Sequence, residues 1–287
     1  MPRRTSAHAA FLSALMCAIA ATLPGCGGGG GAASPVAMTA QRPPPFNDPP
    51  QGGAAAISGE YFGQSPDISS NYLSLLLDAS GRFVLVTQTA DVATGSTTYG
   101  QDVFLGTATI NGTSFAASAV AYSHRDAGTS VFSEGSAVAI NGVVATTSTG
   151  ERTLQLSISG ATVPPLATSV LLTSARNGYA QPPYTVPVGP LNLGDLTATA
   201  DGRVSGQVAP NCTIDATISV TDPMRNVYRM RAVLAGSGCA APRLAAGTGE
   251  FLGSVFVGPV RAHGGPNINF VGLVGNVPVS LQFQSSN

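Results

Sequence analysis

Apolar and polar residues alternate with period two along much of the chain after residue 56. In Thr153-Leu154-Gln155-Leu156-Ser157-Ile158-Ser159 the even positions are apolar and the odd ones polar. Near the C-terminus Val277, Val279, Leu281 and Phe283 alternate with Pro278, Ser280, Gln282 and Gln284. A strand sends successive side chains to opposite faces, so each run predicts a half-buried β-strand. No window beyond Pro50 carries a sustained apolar stripe at helical spacing, and the Thr, Val and Gly content favours strands and turns. The pattern predicts an all-β protein, an antiparallel barrel or sandwich, with room for two weakly repeated β modules.

Turn chemistry supplies the connections. Asn111-Gly112 and Asn141-Gly142 lie between β-prone runs and fit two-residue type I′ turns, because both residue types tolerate positive φ. Ala79-Ser80-Gly81 and Ala200-Asp201-Gly202 fit three-residue loops with glycine in the left-handed position. Each is followed by Arg and an apolar residue, Arg82-Phe83 and Arg203-Val204, which hints at an internal duplication. A hairpin around Thr221-Asp222-Pro223-Met224-Arg225-Asn226 would face Ile214, Ala216, Ile218 and Val220 against Tyr228, Met230, Ala232 and Leu234. That register puts the apolar residues on one face and Thr213, Asp215, Thr217, Arg229 and Arg231 on the other.

The N-terminus follows a different logic. Arg3 and Arg4 precede an apolar run from Ala9 to Thr22, which ends at Leu23-Pro24-Gly25-Cys26. The run is 14 residues long, short of the roughly 20 that a spanning helix needs, and Pro24-Gly25 stops it. Residues 1–27 resemble bacterial lipoprotein precursors, with Leu23, Gly25 and Cys26 at the lipobox positions. The resemblance implies removal of residues 1–25 and a diacylglycerol thioether on Cys26, usually with an N-terminal acyl chain. Two or more acyl chains anchor a protein stably on a bilayer. Gly27, where an aspartate would favour inner-membrane retention, implies the outer membrane as the destination, on either its periplasmic or its surface face.

Cleavage would leave 262 of the 287 residues. Residues 26–56 hold the anchor cysteine, the glycine run Gly27–Gly31, Pro43-Pro44-Pro45 and Pro49-Pro50, and read as a disordered tether. The body is expected to divide into a β module at 57–165 and a second at 166–287. Of four cysteines, Cys17 lies in the discarded signal and Cys26 is the anchor, which leaves Cys212 and Cys239 to pair in an oxidising compartment. They lie just beyond the open end of the hairpin described above. Residues 198–241 resemble proteobacterial lipoproteins in which a DG turn and strand lead to a cysteine-bounded hairpin. The body as a whole resembles the lipocalin-like barrel modules of surface lipoproteins such as transferrin-binding protein B, a likeness that carries no activity with it.

Candidate chemistry is sparse. The chain has no lysine, which excludes a Schiff base or a P-loop, and processing would leave eleven Arg against 14 acidic residues, opposite to a nucleic-acid-binding charge balance. His124-Arg125-Asp126 mimics a kinase triplet without its Leu, Asn or lysine partners, and His263-Gly264-Gly265 resembles an oxyanion loop without a Gly-x-Ser-x-Gly elbow. Asp67, Asp78, Asp91 and Asp102 are scattered through turn-like surroundings without calcium-loop spacing. No catalytic residue, metal or cofactor is expected. Among Tyr61, Phe62, Tyr72, Tyr99, Tyr122, Tyr179 and Tyr184, the last two flank Gln181-Pro182-Pro183 and mark a possible binding surface. The expected function is a non-catalytic binding or structural module whose partner is an envelope protein, a glycan or a small apolar ligand. The alternatives are an envelope hydrolase and a transmembrane β-barrel component.

Overall fold

The alternation that marks each strand closes the first half of the body on itself. The computed structural model describes residues 48–64, 72–91, 98–124, 135–148, 150–160, 169–174, 183–192, 195–240, 244–256 and 267–284, all within one compact unit, Ala40–Asn287. Strands β1 (Gly59–Gln64), β2 (Tyr72–Leu77), β3 (Arg82–Asp91), β4 (Thr98–Asn111), β5 (Ser114–His124), β6 (Ser136–Thr146), β7 (Arg152–Ser159) and β8 (Ser169–Ser174) pair in sequence. β8 returns to β1, with Tyr61 opposite Ser174 and Gln64 opposite Leu171, so the sheet is a closed antiparallel barrel. β8 follows residue 165, so the first sheet runs past the module boundary expected from the sequence.

Inward positions fill this barrel. Leu75, Phe83, Phe104, Phe115, Ile140 and Leu154 are fully or almost fully buried in one cluster, and Phe83 meets Phe115 edge-on at 6.1 Å between ring centres. On β7, Leu154 and Leu156 point in while Gln155 and Ser157 are exposed, as the alternation requires.

One end of the barrel is stoppered by a short helix, α1 (Gly52–Ile57), all but the last residue of which lies in the stretch 26–56 expected to be disordered tether. Ala54 and Ile57 join the barrel core, where small alanines and glycines let the helix backbone come close to β4. Arg152 of β7 holds its C-terminal end: Nη1 donates to Ala56 O at 3.0 Å and Ser58 O at 3.3 Å, and the guanidinium lies 5.8 Å from the Tyr61 ring centre. The Tyr61 hydroxyl donates to Ile57 O. Burial of Ala54 and Ile57 is what orders this low-complexity segment.

The second sheet contains β9 (Gly189–Asn192), β10 (Asp195–Ala198), β11 (Arg203–Ala209), β12 (Cys212–Val220), β13 (Tyr228–Ala235), β14 (Gly247–Phe256), β15 (Asn267–Val274) and β16 (Val277–Gln284), again in sequence order. It curls into a half-barrel around Tyr228, Met230, Phe251, Phe270 and Phe283; among the described residues no register joins β16 to β9. The β12–β13 register is the expected one: Ile214 faces Leu234, Ala216 faces Ala232, Ile218 faces Met230 and Val220 faces Tyr228. The disulfide Cys212–Cys239 closes the far end of this hairpin, with its Cα atoms 4.9 Å apart and both residues buried.

The two modules are similar down to one turn. Gly81 (φ 87°) and Gly202 (φ 82°) occupy the left-handed position of their three-residue loops. Their carbonyls accept from Ala108 N and Ile218 N respectively, each at 2.7 Å, and so tie each turn to the next strand but one.

The Asn-Gly pairs behave differently from expectation. Asn111 pairs with Ser114, so the β4–β5 turn is Gly112-Thr113 with only Gly112 at positive φ, the pattern of a type II′ turn. Asn141-Gly142 is not a turn at all. Gly142 lies inside β6, paired with Phe115 on one side and Leu156 on the other. A Cβ there would stand 2.3 Å from Gln155 O, so glycine is required by a close neighbouring strand.

Candidate functional site

The outward positions Gln155 and Ser157 of β7 are polar, but β2, β3 and β4 each carry a run that is apolar on both faces. Their runs Leu75-Leu76-Leu77, Phe83-Val84-Leu85-Val86 and Val103-Phe104-Leu105 leave Leu76, Val84 and Val103 pointing away from the core. These side chains are covered by Val227 and by Leu252 on the outer face of the second sheet, with Val86, Leu105 and Val271 at the margin. The modules are therefore joined by the outer faces of their sheets. Consecutive apolar residues in a strand are the sequence signal for cover on both sides, and alternation alone misses it.

Among the described residues three polar contacts cross the joint. Arg229 of β13 places Nε 2.9 Å from Asp78 Oδ2, both side chains almost wholly buried. Asp78 Oδ1 meanwhile accepts from the Ser80 and Arg82 backbone N–H groups, so the turn before β3 orients the carboxylate. Further along, Arg82 reaches Asp48 at 2.9 Å and also pairs with Glu250 of β14, which pairs in turn with Arg231 of β13. Burial alone would raise the Glu250 carboxyl, but the Arg231 and Arg82 guanidinium groups hold it below the ordinary carboxylate range.

The third contact has no cation in it among the described residues. Glu60 on β1, opposite Leu76, accepts from Asn226 Nδ2 at 2.7 Å and from Ser254 Oγ at 2.7 Å. Asn226 is itself locked to β14, donating to Val255 O and accepting from Val255 N, each at 2.9 Å. Burial pushes the Glu60 carboxyl up to about 7 in spite of its two hydrogen bonds.

Beside the joint lies an open cleft of about 460 Å³. Leu105, Leu252, Val271 and Leu273 supply apolar lining, Thr107 and Thr248 are exposed at it, and Arg82 and Glu250 bring charge. This volume falls in the usual range for ligand pockets, roughly 300–1,000 Å³. A second space of about 130 Å³, lined by Val188, Leu191, Ile268 and Phe283 in the half-barrel, is too small to belong to that class. An amphipathic ligand matches the first cleft better than a purely apolar one, because its apolar lining sits beside paired charges.

The residues singled out from the sequence are not gathered here. Cys26, Asp67, Tyr179 and His263 lie outside the described residues. Tyr184 is half-buried against the second module's core, its N–H donating to Pro223 O at 2.8 Å; burial and the nearby Glu60 charge both push its phenol up. Tyr61 and Tyr228 are core residues, and His124 ends β5. Asp78 belongs to the joint. Asp102 is not in a turn: it sits within β4, paired in register with Thr87 and Ser123 and 1% exposed. Among the described residues no three His, Cys, Asp or Glu side chains converge on a metal position. Comparison with protein-family profiles, curated proteins and solved structures finds no match.

Proposed function

We propose that the protein is a lipid-anchored component of the bacterial envelope, held on the outer membrane through Cys26, whose β body works by binding rather than by catalysis. The observation that carries the binding half is the cleft of about 460 Å³, where the apolar side chains of two sheets meet the Arg82–Glu250–Arg231 network. The interior of the closed barrel is occupied by its own aromatic and leucine side chains, so a partner is best received on this outer surface. Its lining suits an envelope protein segment or a glycan with an apolar face. The lipobox Leu23-Pro24-Gly25-Cys26 supports the anchor. The exposed Gln155 and Ser157 on β7 favour a barrel standing in water over one immersed in lipid, whose outward residues would be apolar.

Two measurements test the reading. Cys26→Ser should abolish incorporation of labelled fatty acid and release or stall the precursor; normal membrane retention of the variant, with no label on the wild type, overturns the anchor. Envelope extracts passed over the immobilised chain should yield a component that Leu273→Arg, which puts a charge into the cleft, no longer retains. Equal retention by both proteins overturns the cleft as the binding place.

A further inference from the structure

The joint between the modules contains two buried carboxylates of opposite design. Asp78 faces the Arg229 guanidinium at 2.9 Å, so its charge is neutralised in place. Glu60 is 6% exposed, sits among the apolar side chains around Leu76, and among the described residues receives two neutral donors, both from the other module. Ionised Glu60 in that position carries an unpaired charge in a poorly solvated site, whereas protonated Glu60 does not.

We propose that the joint is a proton-operated latch, firm while the Glu60 carboxyl is neutral and loosened when it ionises. The other ionisable groups around it do not substitute for a counter-charge. Tyr184, on the segment before β9, feels the Glu60 charge but is neutral. On the β12–β13 loop Arg225 is 3.6 Å from Asp222, and on the barrel side Arg152 lies over Tyr61. Across β13 and β14, Arg229 pairs with Asp78, and Arg231 with Glu250. Among the described residues none of these cations forms an ion pair with Glu60.

The direction follows from linkage. Burial in the docked joint raises the carboxyl from its ordinary value of 4.5 to about 7. Docking is therefore strongest below the lower value, weakens by about tenfold per pH unit between the two, and levels off above the upper one. Loosening separates Asn226 and Ser254 from Glu60 and lets the cleft beside the joint change width.

The test is hydrogen exchange of the full chain, corrected for intrinsic rates, from pH 4.5 to 8, read in peptides covering Leu76 and Ser254–Val255. In the wild type the protection of these peptides should fall across that window. In Glu60→Gln, which keeps the acceptor oxygen without the charge, that component should be lost. Ser254→Ala removes a donor that favours the ionised form, so the upper end of its window should move to higher pH. A wild-type profile without this fall, a Glu60→Gln profile that keeps it, or an unmoved window in Ser254→Ala each overturns the latch.

Discussion

Arg229 and Asp78 form a buried ion pair between the modules, 2.9 Å apart and with side chains 3% and 0% exposed. The pair ties the first residue beyond β2 to the start of β13, beside the apolar patch that covers Leu76 and Val84. Removing one partner would leave the other charge buried without its counter-ion.

Arg229→Met should therefore destabilise the chain by about 3–5 kcal/mol in urea denaturation. Adding Asp78→Asn to that variant should recover part of the loss, because the amide keeps the turn acceptor at Oδ1 while discarding the orphaned charge. A double variant as unstable as the sum of the two single ones would show that the pair is not energetically coupled.

Glu250 predicts the acid limb of stability. Its carboxyl is held below the ordinary range, because Arg231 and Arg82 outweigh the effect of burial. The stabilisation is present above the ordinary carboxylate pKa and is lost as pH falls through the lowered one. Glu250→Gln should flatten part of the acid-unfolding curve, followed by circular dichroism below pH 5, and should lower stability at neutral pH. An unchanged acid curve would remove Glu250 from the joint's electrostatics.

Gly142 and Gly112 should respond differently to alanine. In Gly142→Ala the new methyl meets Gln155 O and Leu156 within the barrel wall, so a loss of roughly 1–3 kcal/mol is expected from overpacking. Gly112→Ala meets nothing within 4 Å, and its cost is the positive φ alone, about 1–2 kcal/mol. Thermal melts of both variants check the assignment, and the decisive contrast is Gly142→Val, which should be far worse than Gly142→Ala because the obstruction is steric.

Reduction of the Cys212–Cys239 bond should loosen the β12–β13 hairpin without unfolding the body. The bonded residues are 27 apart in sequence, which in the chain-entropy model corresponds to about 3–4 kcal/mol. Non-reduced peptide mapping together with melts in the presence and absence of reductant reads both points. Global unfolding on reduction would assign the bond a larger role than the half-barrel core around Phe251, Phe270 and Phe283.

The hairpin from Cys212 to Cys239 was legible in full from the sequence, because its register follows from local alternation: a slip of one residue would turn every apolar side chain outward. The Gly81 and Gly202 loops were legible for a similar reason, since a left-handed residue after two turn residues is a requirement of the chain's own sterics. Asn141-Gly142 was misread because its glycine answers to Gln155 and Leu156 on the next strand, and a dipeptide carries no trace of a neighbour it has yet to meet. Helix α1 was hidden for a related reason: an alanine-rich stretch has little cause to order until a barrel mouth buries Ala54 and Ile57. The sequence by itself determined strand, hairpin and all-β class, which depend on sterics over a few residues. The outward Leu76, Val84 and Val103, the Arg229–Asp78 pair and the uncompensated Glu60 acquired their roles only when the two sheets packed together, because burial and charge pairing between residues far apart in the sequence are properties of that packing.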